Sequence, residues 1–341
     1  MRGVRLLGSR QVEVRDYPDP VPEGDEVVVR LEAAAICGSD LHGLYEKPGE
    51  KDFIPGHEGA GVVVAVDKPT WVREGDRVCT TAVWPCGRCD MCRRGYTIYC
   101  RDRRGTYGFG LDGVHADFVR ISERSLLPLP DSMTFEQGCL VLDPVGTPYH
   151  TSKRIGLNAT HVVGVFGLGP MGLGAVCIAA HLGARVIGID PIAFRRDLAE
   201  KLGADITLDP NEGDVVTQVR EATGGYGLDR AFECSGKPEP LRAALDLVRH
   251  FGHVAIIGEN PEATISPSAH FCRKEIFLSG STCFPLGEFD EIVRLFEAGL
   301  RSAEMITHRF PIEQAPEAYA TFASGNSGKV IFVRSRARGF R

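Results

Sequence analysis

The run Val162-Val163-Gly164-Val165-Phe166-Gly167-Leu168-Gly169-Pro170-Met171-Gly172 decides how the chain is read. Five residues of apolar, strand-forming character lead straight into G-x-G-x-x-G, and Asp190 closes the next strand pattern 18 residues after Gly172. In that setting each glycine has a physical role. Gly167 permits a tight turn, Gly169 lets a pyrophosphate approach the backbone, and Gly172 lets a helix lie close on the strand. Pro170 and Met171 complete the motif at the start of that helix, whose first amide N–H groups suit a phosphate. A carboxylate at Asp190 accepts hydrogen bonds from ribose hydroxyls and repels a 2′-phosphate, so the pattern predicts NAD rather than NADP. Arg195, five residues on, is placed beside the adenosine or in a surface ion pair.

No Asp, Glu, Lys or Arg occurs between Arg154 and Arg185, a length sufficient to cross a bilayer. Seven glycines and Pro170 fall in it, however, so strand, turn and buried helix fit better than one span, and no membrane segment is expected. Downstream, apolar strands alternate with helical segments: Arg185 to Asp190 then Ala193 to Leu202, Asp205 to Leu208 then Asp214 to Ala222, Asp229 to Cys234 then Pro240 to Val248, and His253 to Gly258. That alternation predicts a parallel sheet with helices on both faces. Upstream lie short β-type runs broken by Gly, Pro and Asp: Val12 to Arg15, Glu26 to Ala34, Gly61 to Val66, Asp76 to Ala82 and Ala116 to Ile121. They predict a β-rich body. Glu288 to Ala298 reads as a helix and Lys329 to Arg334 as a strand that returns to the first body.

With 341 residues the chain has room for about two domains. At 43% hydrophobic and 25% charged it is of globular composition, which excludes disordered and fibrous classes. A net charge of -6 gives no basic field for a phosphate backbone. The arginines Arg88, Arg93, Arg94, Arg101, Arg103 and Arg104 lack interleaved stacking aromatics, and Arg334, Arg336, Arg338 and Arg341 read as a solvated tail, so no nucleic-acid partner is expected. Eleven cysteines in a chain of this length, with no apolar signal core from Met1 to Leu7, predict the reducing cytoplasm rather than a disulfide scaffold.

Two groups of residues bring metal chemistry. Cys86, Cys89, Cys92 and Cys100 form C-x2-C-x2-C-x7-C among Gly87, Arg88, Asp90, Arg93, Arg94 and Gly95. Four thiolates on such a polar stretch suit tetrahedral Zn2+, and a site closed by four thiolates is expected to be structural. The same ligands can hold an iron–sulfur cluster. Cys37-Gly38-Ser39-Asp40-Leu41-His42 and Gly56-His57-Glu58-Gly59-Ala60-Gly61 each follow a β-type run and bring a thiolate, an imidazole and carboxylates. Singly, Cys37 reads as a small buried residue and His57 as a core histidine. Beside a dinucleotide fold they acquire another meaning, because hydride transfer from an alcohol needs a Lewis acid on its oxygen, an open coordination position and an exit for the proton.

These motifs, in this order, resemble the zinc-dependent medium-chain dehydrogenase/reductase superfamily, over essentially the whole chain. The resemblance implies a GroES-like catalytic domain over 1–152 with a structural zinc lobe at about 84–103, a Rossmann NAD-binding domain with a doubly wound parallel sheet over 153–292, and a segment, 293–341, that completes the catalytic domain. It implies one catalytic and one structural Zn2+ per subunit, the catalytic ion held by Cys37, His57 and a carboxylate. Asp143, in Val141-Leu142-Asp143-Pro144, stands where simple alcohol dehydrogenases carry Cys and polyol, glucose and threonine relatives carry Glu or Asp. Asp143 binds directly or through water, and Glu58 is either a ligand or a partner behind the ligands. Ser39 and His42 match the family's proton relay, and Thr147 a position near the nicotinamide. The expected reaction is oxidation of a secondary alcohol, a polyol, cyclitol or sugar, by NAD to the ketone, with L-threonine 3-dehydrogenase chemistry as the nearest alternative and a non-catalytic NAD- and zinc-binding regulator as the alternative from another class. The family implies a small-molecule alcohol partner and a homodimer or homotetramer.

Overall fold

The computed structural model describes residues 1–68 and 71–334; Arg336, Arg338 and Arg341 of the basic tail lie outside them. The chain forms two compact units, one of Met1–Leu142, Pro285–Glu297 and Ile306–Arg341, the other of Asp143–Phe284 and Ala298–Met305.

The first unit is built on the strand Glu26–Ala35, E-V-V-V-R-L-E-A-A-A, buried at all but two positions. Its apolar runs Val27–Val29 and Ala33–Ala35 fill the core, while Arg30 and Glu32 take the two less buried positions. It pairs antiparallel with Glu58–Val66, Phe118–Ser122 and Lys329–Val333. Ala35 stands opposite Glu58 in one ladder and Ile331 in the other, so strands from opposite ends of the chain are brought to either side of one residue. Ile306–Phe310 lies parallel to Lys329–Val333, with the helix Ala315–Ala323 as crossover. That helix packs on the first strand, Arg2–Gly8, through Val4, Leu6, Tyr45, Tyr319 and Phe332. Tyr319 is wholly buried, and its hydroxyl meets Nδ1 of the equally buried His115 at 2.9 Å, whose Nε2 lies 3.1 Å from the Ala35 carbonyl. Polar atoms placed this deep need such partners.

The second unit is a six-stranded parallel sheet. Its strands run in the order Ile206–Leu208, Arg185–Ile189, Val162–Phe166, Leu228–Glu233, Val248–Ile256, Phe277–Gly280. Val162–Phe166 occupies the interior, where apolar residues on both faces are required. The charge-free stretch resolves into this strand and the helix Pro170–His181, only 12 residues long. Among the described residues no helix is long and apolar enough to cross a membrane. The expected helix Pro240 to Val248 ends at Leu247, because β-branched Val248 starts a strand and pairs with Leu228.

Replacing Tyr319 with alanine removes a fully buried ring and leaves His115 without its hydroxyl partner; we expect urea denaturation to show the first unit destabilised by about 3–5 kcal/mol.

Candidate active site

The four cysteines of the polar stretch converge. Their sulfur atoms all lie within 4.8 Å of one another, with 3.5 Å between Cys89 and Cys92, 3.9 Å between Cys86 and Cys92, and 4.0 Å between Cys89 and Cys100. These are far too long for disulfide bonds, and no disulfide forms among the described residues. They match the edge of a tetrahedron of sulfurs around zinc, about 3.8 Å for a Zn–S bond near 2.3 Å. Backbone N–H groups are aimed at the sulfurs: Cys86 N–H lies 3.2 Å from Cys100 Sγ and Cys89 N–H 3.4 Å from Cys86 Sγ. Donors on Cys92 and Arg101 bring the Cys89 thiol down to about 6, whereas burial pushes Cys92 up to about 12. A cation is the natural counterpart of such a set. The lobe's arginines are engaged nearby, Arg88 with Asp102, Arg101 with Asp90 and Arg104 with Asp25.

A second donor set forms from Cys37, His57, Glu58 and Asp143, whose ligand atoms also lie within 4.8 Å of one another. Cys37 ends the central buried strand's extension and precedes the short turn Gly38–Asp40. The wholly buried Asp40 carboxylate accepts the Cys37 N–H at 2.9 Å and lies 3.6 Å from His57 Nδ1. Burial works to raise the Asp40 carboxyl, but His57 and the Cys37 amide outweigh it and hold the group below its ordinary range. Phe109 lies against the His57 ring at 5.5 Å between centroids. The carboxylate behind an imidazole is the usual means of orienting a metal-binding histidine. Asp143 follows Leu142 directly in a wide, π-type turn, Val141–Gly146, that contains Pro144. Its Oδ1 lies 4.0 Å from Cys283 Sγ. Glu58 meets Lys329 Nζ at 2.5 and 2.8 Å, and both side chains are shut off from water.

Ser39 is half-buried in the turn after Cys37, and His42 follows with its side chain 77% exposed. Thr147 begins the helix Thr147–Arg154; its Oγ1 is buried and has no hydrogen-bond partner among the described residues. An orphaned hydroxyl of this kind fits a bound ligand.

The glycine motif and Asp190 meet as the spacing predicts. Leu168 N–H and Ile192 N–H donate to the two Asp190 oxygens, each at 2.8 Å, and Arg195 stands 3.7 Å from one of them. A Cβ on Gly172 would sit 1.8 Å from the Gly167 carbonyl oxygen, so only glycine allows the helix this approach. One on Gly169 would meet nothing within 4 Å, which leaves open space over the helix N-terminus for a diphosphate. Gly174 permits a second close approach. A Cβ there would lie 1.7 Å from the Pro144 carbonyl oxygen, so the dinucleotide helix rests directly on the turn that carries Asp143.

Asp40 and Lys329 hold the donor set in place, yet sequence reasoning assigned neither a role. Asp40 lies inside a motif whose Cys, Ser and His drew the attention. Lys329 opens an ordinary apolar strand, and nothing in its neighbourhood signals a buried cation.

The comparisons with known proteins agree with this geometry. The alcohol dehydrogenase GroES-like domain matches residues 23–131 and the zinc-binding dehydrogenase family residues 170–298. An L-threonine 3-dehydrogenase of Pyrococcus horikoshii is 34% identical over 341 residues, covering 96% of this chain and 95% of its own. The chain belongs to the zinc-dependent medium-chain dehydrogenase family. A sorbitol dehydrogenase of Bacillus subtilis is 29% identical over 93% of this chain and 92% of its own. Among solved structures, an alcohol dehydrogenase from Thermus sp. ATN1 superposes with a TM-score of 0.90 at 30% identity, over 98% of this chain and 100% of that one. As a family member the protein is an oxidoreductase acting on CH–OH donors, with zinc and a nicotinamide dinucleotide as cofactors.

Two outcomes follow from the buried charges. Lys329→Met strands the Glu58 carboxylate, and we expect a loss of about 3–5 kcal/mol in urea denaturation, most of it recovered in the Lys329→Met/Glu58→Gln pair. In zinc-stripped protein at pH 7, Cys89 is mostly thiolate and Cys92 mostly thiol; brief iodoacetamide labelling read by mass spectrometry is expected to modify Cys89 first, with a rate that climbs as pH rises through about 6.

Proposed function

We propose that the protein is an NAD-dependent zinc dehydrogenase that oxidises a secondary alcohol, a polyol, cyclitol or sugar, to the ketone. The first unit serves as catalytic domain and the second as NAD-binding domain. The observation that carries this reading is the convergence of Cys37, His57, Glu58 and Asp143, two of them carboxylates, in a chain that also holds a complete dinucleotide motif. Zinc supplies the Lewis acidity that makes an alcohol oxygen easier to deprotonate, and NAD accepts the hydride.

The residues divide the remaining work. Cys37, His57 and Asp143 are assigned to the catalytic metal. Glu58 is assigned to a place behind them, because Lys329 already balances its charge on both oxygens. One thiolate and one aspartate then match the charge of a divalent ion, while the Asp40 carboxylate stays behind His57. Cys86, Cys89, Cys92 and Cys100 are assigned to the structural metal. Ser39 takes the substrate proton and His42, largely exposed, returns it to water. Gly167, Gly169, Pro170, Met171 and Gly172 present the helix N-terminus to the diphosphate, Asp190 receives the ribose hydroxyls beside Arg195, and Thr147 Oγ1 is reserved for the nicotinamide. Four reduced thiols at the structural site support the cytoplasm as compartment. Subunit association into a dimer or tetramer is part of the same reading.

Oxidation of an amino alcohol is the second reading, favoured by the 34% identity with an L-threonine 3-dehydrogenase. NAD+ reduction across polyols, inositols, aldoses, L-threonine and simple alcohols, with and without a chelator, separates the two. We expect chelator-sensitive turnover on a polyhydroxy substrate, NAD+ preferred over NADP+, and a loss of roughly 100-fold or more in Asp143→Asn and in His42→Ala. Turnover confined to L-threonine would select the second reading. Silence across the panel from a zinc-loaded protein would refute both and favour a non-catalytic binding role.

A further inference from the structure

His42 lies in a wide helical turn, Leu41–Tyr45, closed by the Glu46 N–H on the Leu41 carbonyl at 2.9 Å, five residues back. The turn brings His42 Nδ1 to 2.9 Å from Glu46 Oε2. The second oxygen of Glu46 accepts from the Arg10 guanidinium at 2.7 Å. Arg10 comes from a distant part of the sequence, the hairpin between the strands Arg2–Gly8 and Gln11–Asp16. Ser9 and Arg10 both take positive φ there, 50° and 67°, a conformation that β-carbon-bearing residues rarely adopt without compensation. The compensation is visible. Ser9 N–H donates to the Lys47 carbonyl at 3.0 Å and Arg10 N–H to the Tyr45 carbonyl at 2.8 Å, so the hairpin caps the end of the turn that carries His42.

The order of donors and acceptors has a chemical result. An ionised carboxylate only accepts, and the hydrogen bond from His42, with that from Arg10, keeps Glu46 below the usual carboxylate range. Nδ1 must therefore carry the hydrogen when His42 is neutral, and the lone pair is left on Nε2. An exposed i,i+4 ion pair adds little to stability, so a stability role does not account for a partner that is itself anchored from another strand pair.

We propose that Glu46, braced by Arg10, is a positioning residue that fixes the tautomer and orientation of His42 so that Nε2 is the proton acceptor in alcohol oxidation. This rests on the assignment of His42 to the proton relay. The arrangement is the one in which a buried aspartate orients a general-base histidine, transferred to a rim where the proton leaves for water.

The test compares Glu46→Ala, Glu46→Asp, Arg10→Met and His42→Ala in the zinc-loaded enzyme. Nitrogen-15 spectra of histidine-labelled protein above pH 8 are expected to show His42 with hydrogen on Nδ1 in the native enzyme, a shift toward the Nε2–H form in Glu46→Ala, a smaller shift in Arg10→Met and recovery in Glu46→Asp. With the dehydrogenase substrate, kcat is expected to fall roughly tenfold in Glu46→Ala with KM unchanged, with a larger solvent deuterium isotope effect and rescue by imidazole buffer. Glu46→Ala is expected to add nothing in the His42→Ala background. An unchanged tautomer and a kcat within about twofold of native for Glu46→Ala, while His42→Ala is impaired, would overturn the proposal and leave the relay standing. Unimpaired His42→Ala would remove the relay assignment and this proposal together.

Discussion

Lys329 and Glu58 pair out of reach of water, and the two residues are separated by 271 positions in the chain. Two charges taken out of water are tolerated only when each satisfies the other, so the last strand of the sheet can settle in one register. A shift of Lys329–Val333 by a single residue would move the ammonium to the opposite face and leave the carboxylate beside His57 uncompensated. The position of the strand Glu58–Val66 is therefore specified from both ends of the sequence. The alanines at the end of Glu26–Ala35 make this possible, since small side chains let both neighbouring strands close on one site.

The two donor sets differ in how they are held. The four cysteines stand on a polar stretch and are organised chiefly by backbone amides. The other set is organised by buried side chains: Asp40 orients His57, Lys329 holds Glu58, and the wide turn at Val141–Gly146 places Asp143. This difference in support is the physical counterpart of a structural and a catalytic assignment. A site that must keep a coordination position open cannot rely on the metal alone to shape it.

Most of the parallel sheet was legible in the sequence, because period, apolar content and glycine punctuation agree there; the strand Val162–Phe166 has the expected bounds, whereas Val248–Ile256 begins five residues earlier than expected and the edge strand Phe277–Gly280 went unread. The β-rich unit was legible as a class, with strand ends displaced by a few residues, and its strand Arg2–Gly8 and helix Ala315–Ala323 went unread. The candidate ligand residues were readable because cysteine and histidine at set spacings have few other uses. Their supports were not. Asp40 and Lys329 act through contacts made across the fold, and no local pattern encodes a partner 271 residues away. The wide turns at Leu41–Tyr45 and Val141–Gly146 also escaped, since a π-type turn has no periodicity of its own and depends on the hydrogen bonds around it.

Gly174 presses the dinucleotide helix against the Pro144 carbonyl, and Asp143 is the residue before Pro144. The helix and the aspartate consequently form one mechanical piece, although the sequence places 26 residues between Asp143 and Pro170. A chimera that exchanges the second unit for another inherits that piece whole. Its seam belongs ahead of Val141; a seam inside the wide turn would pair one protein's aspartate with another's helix, and the fit that Gly174 permits would be lost.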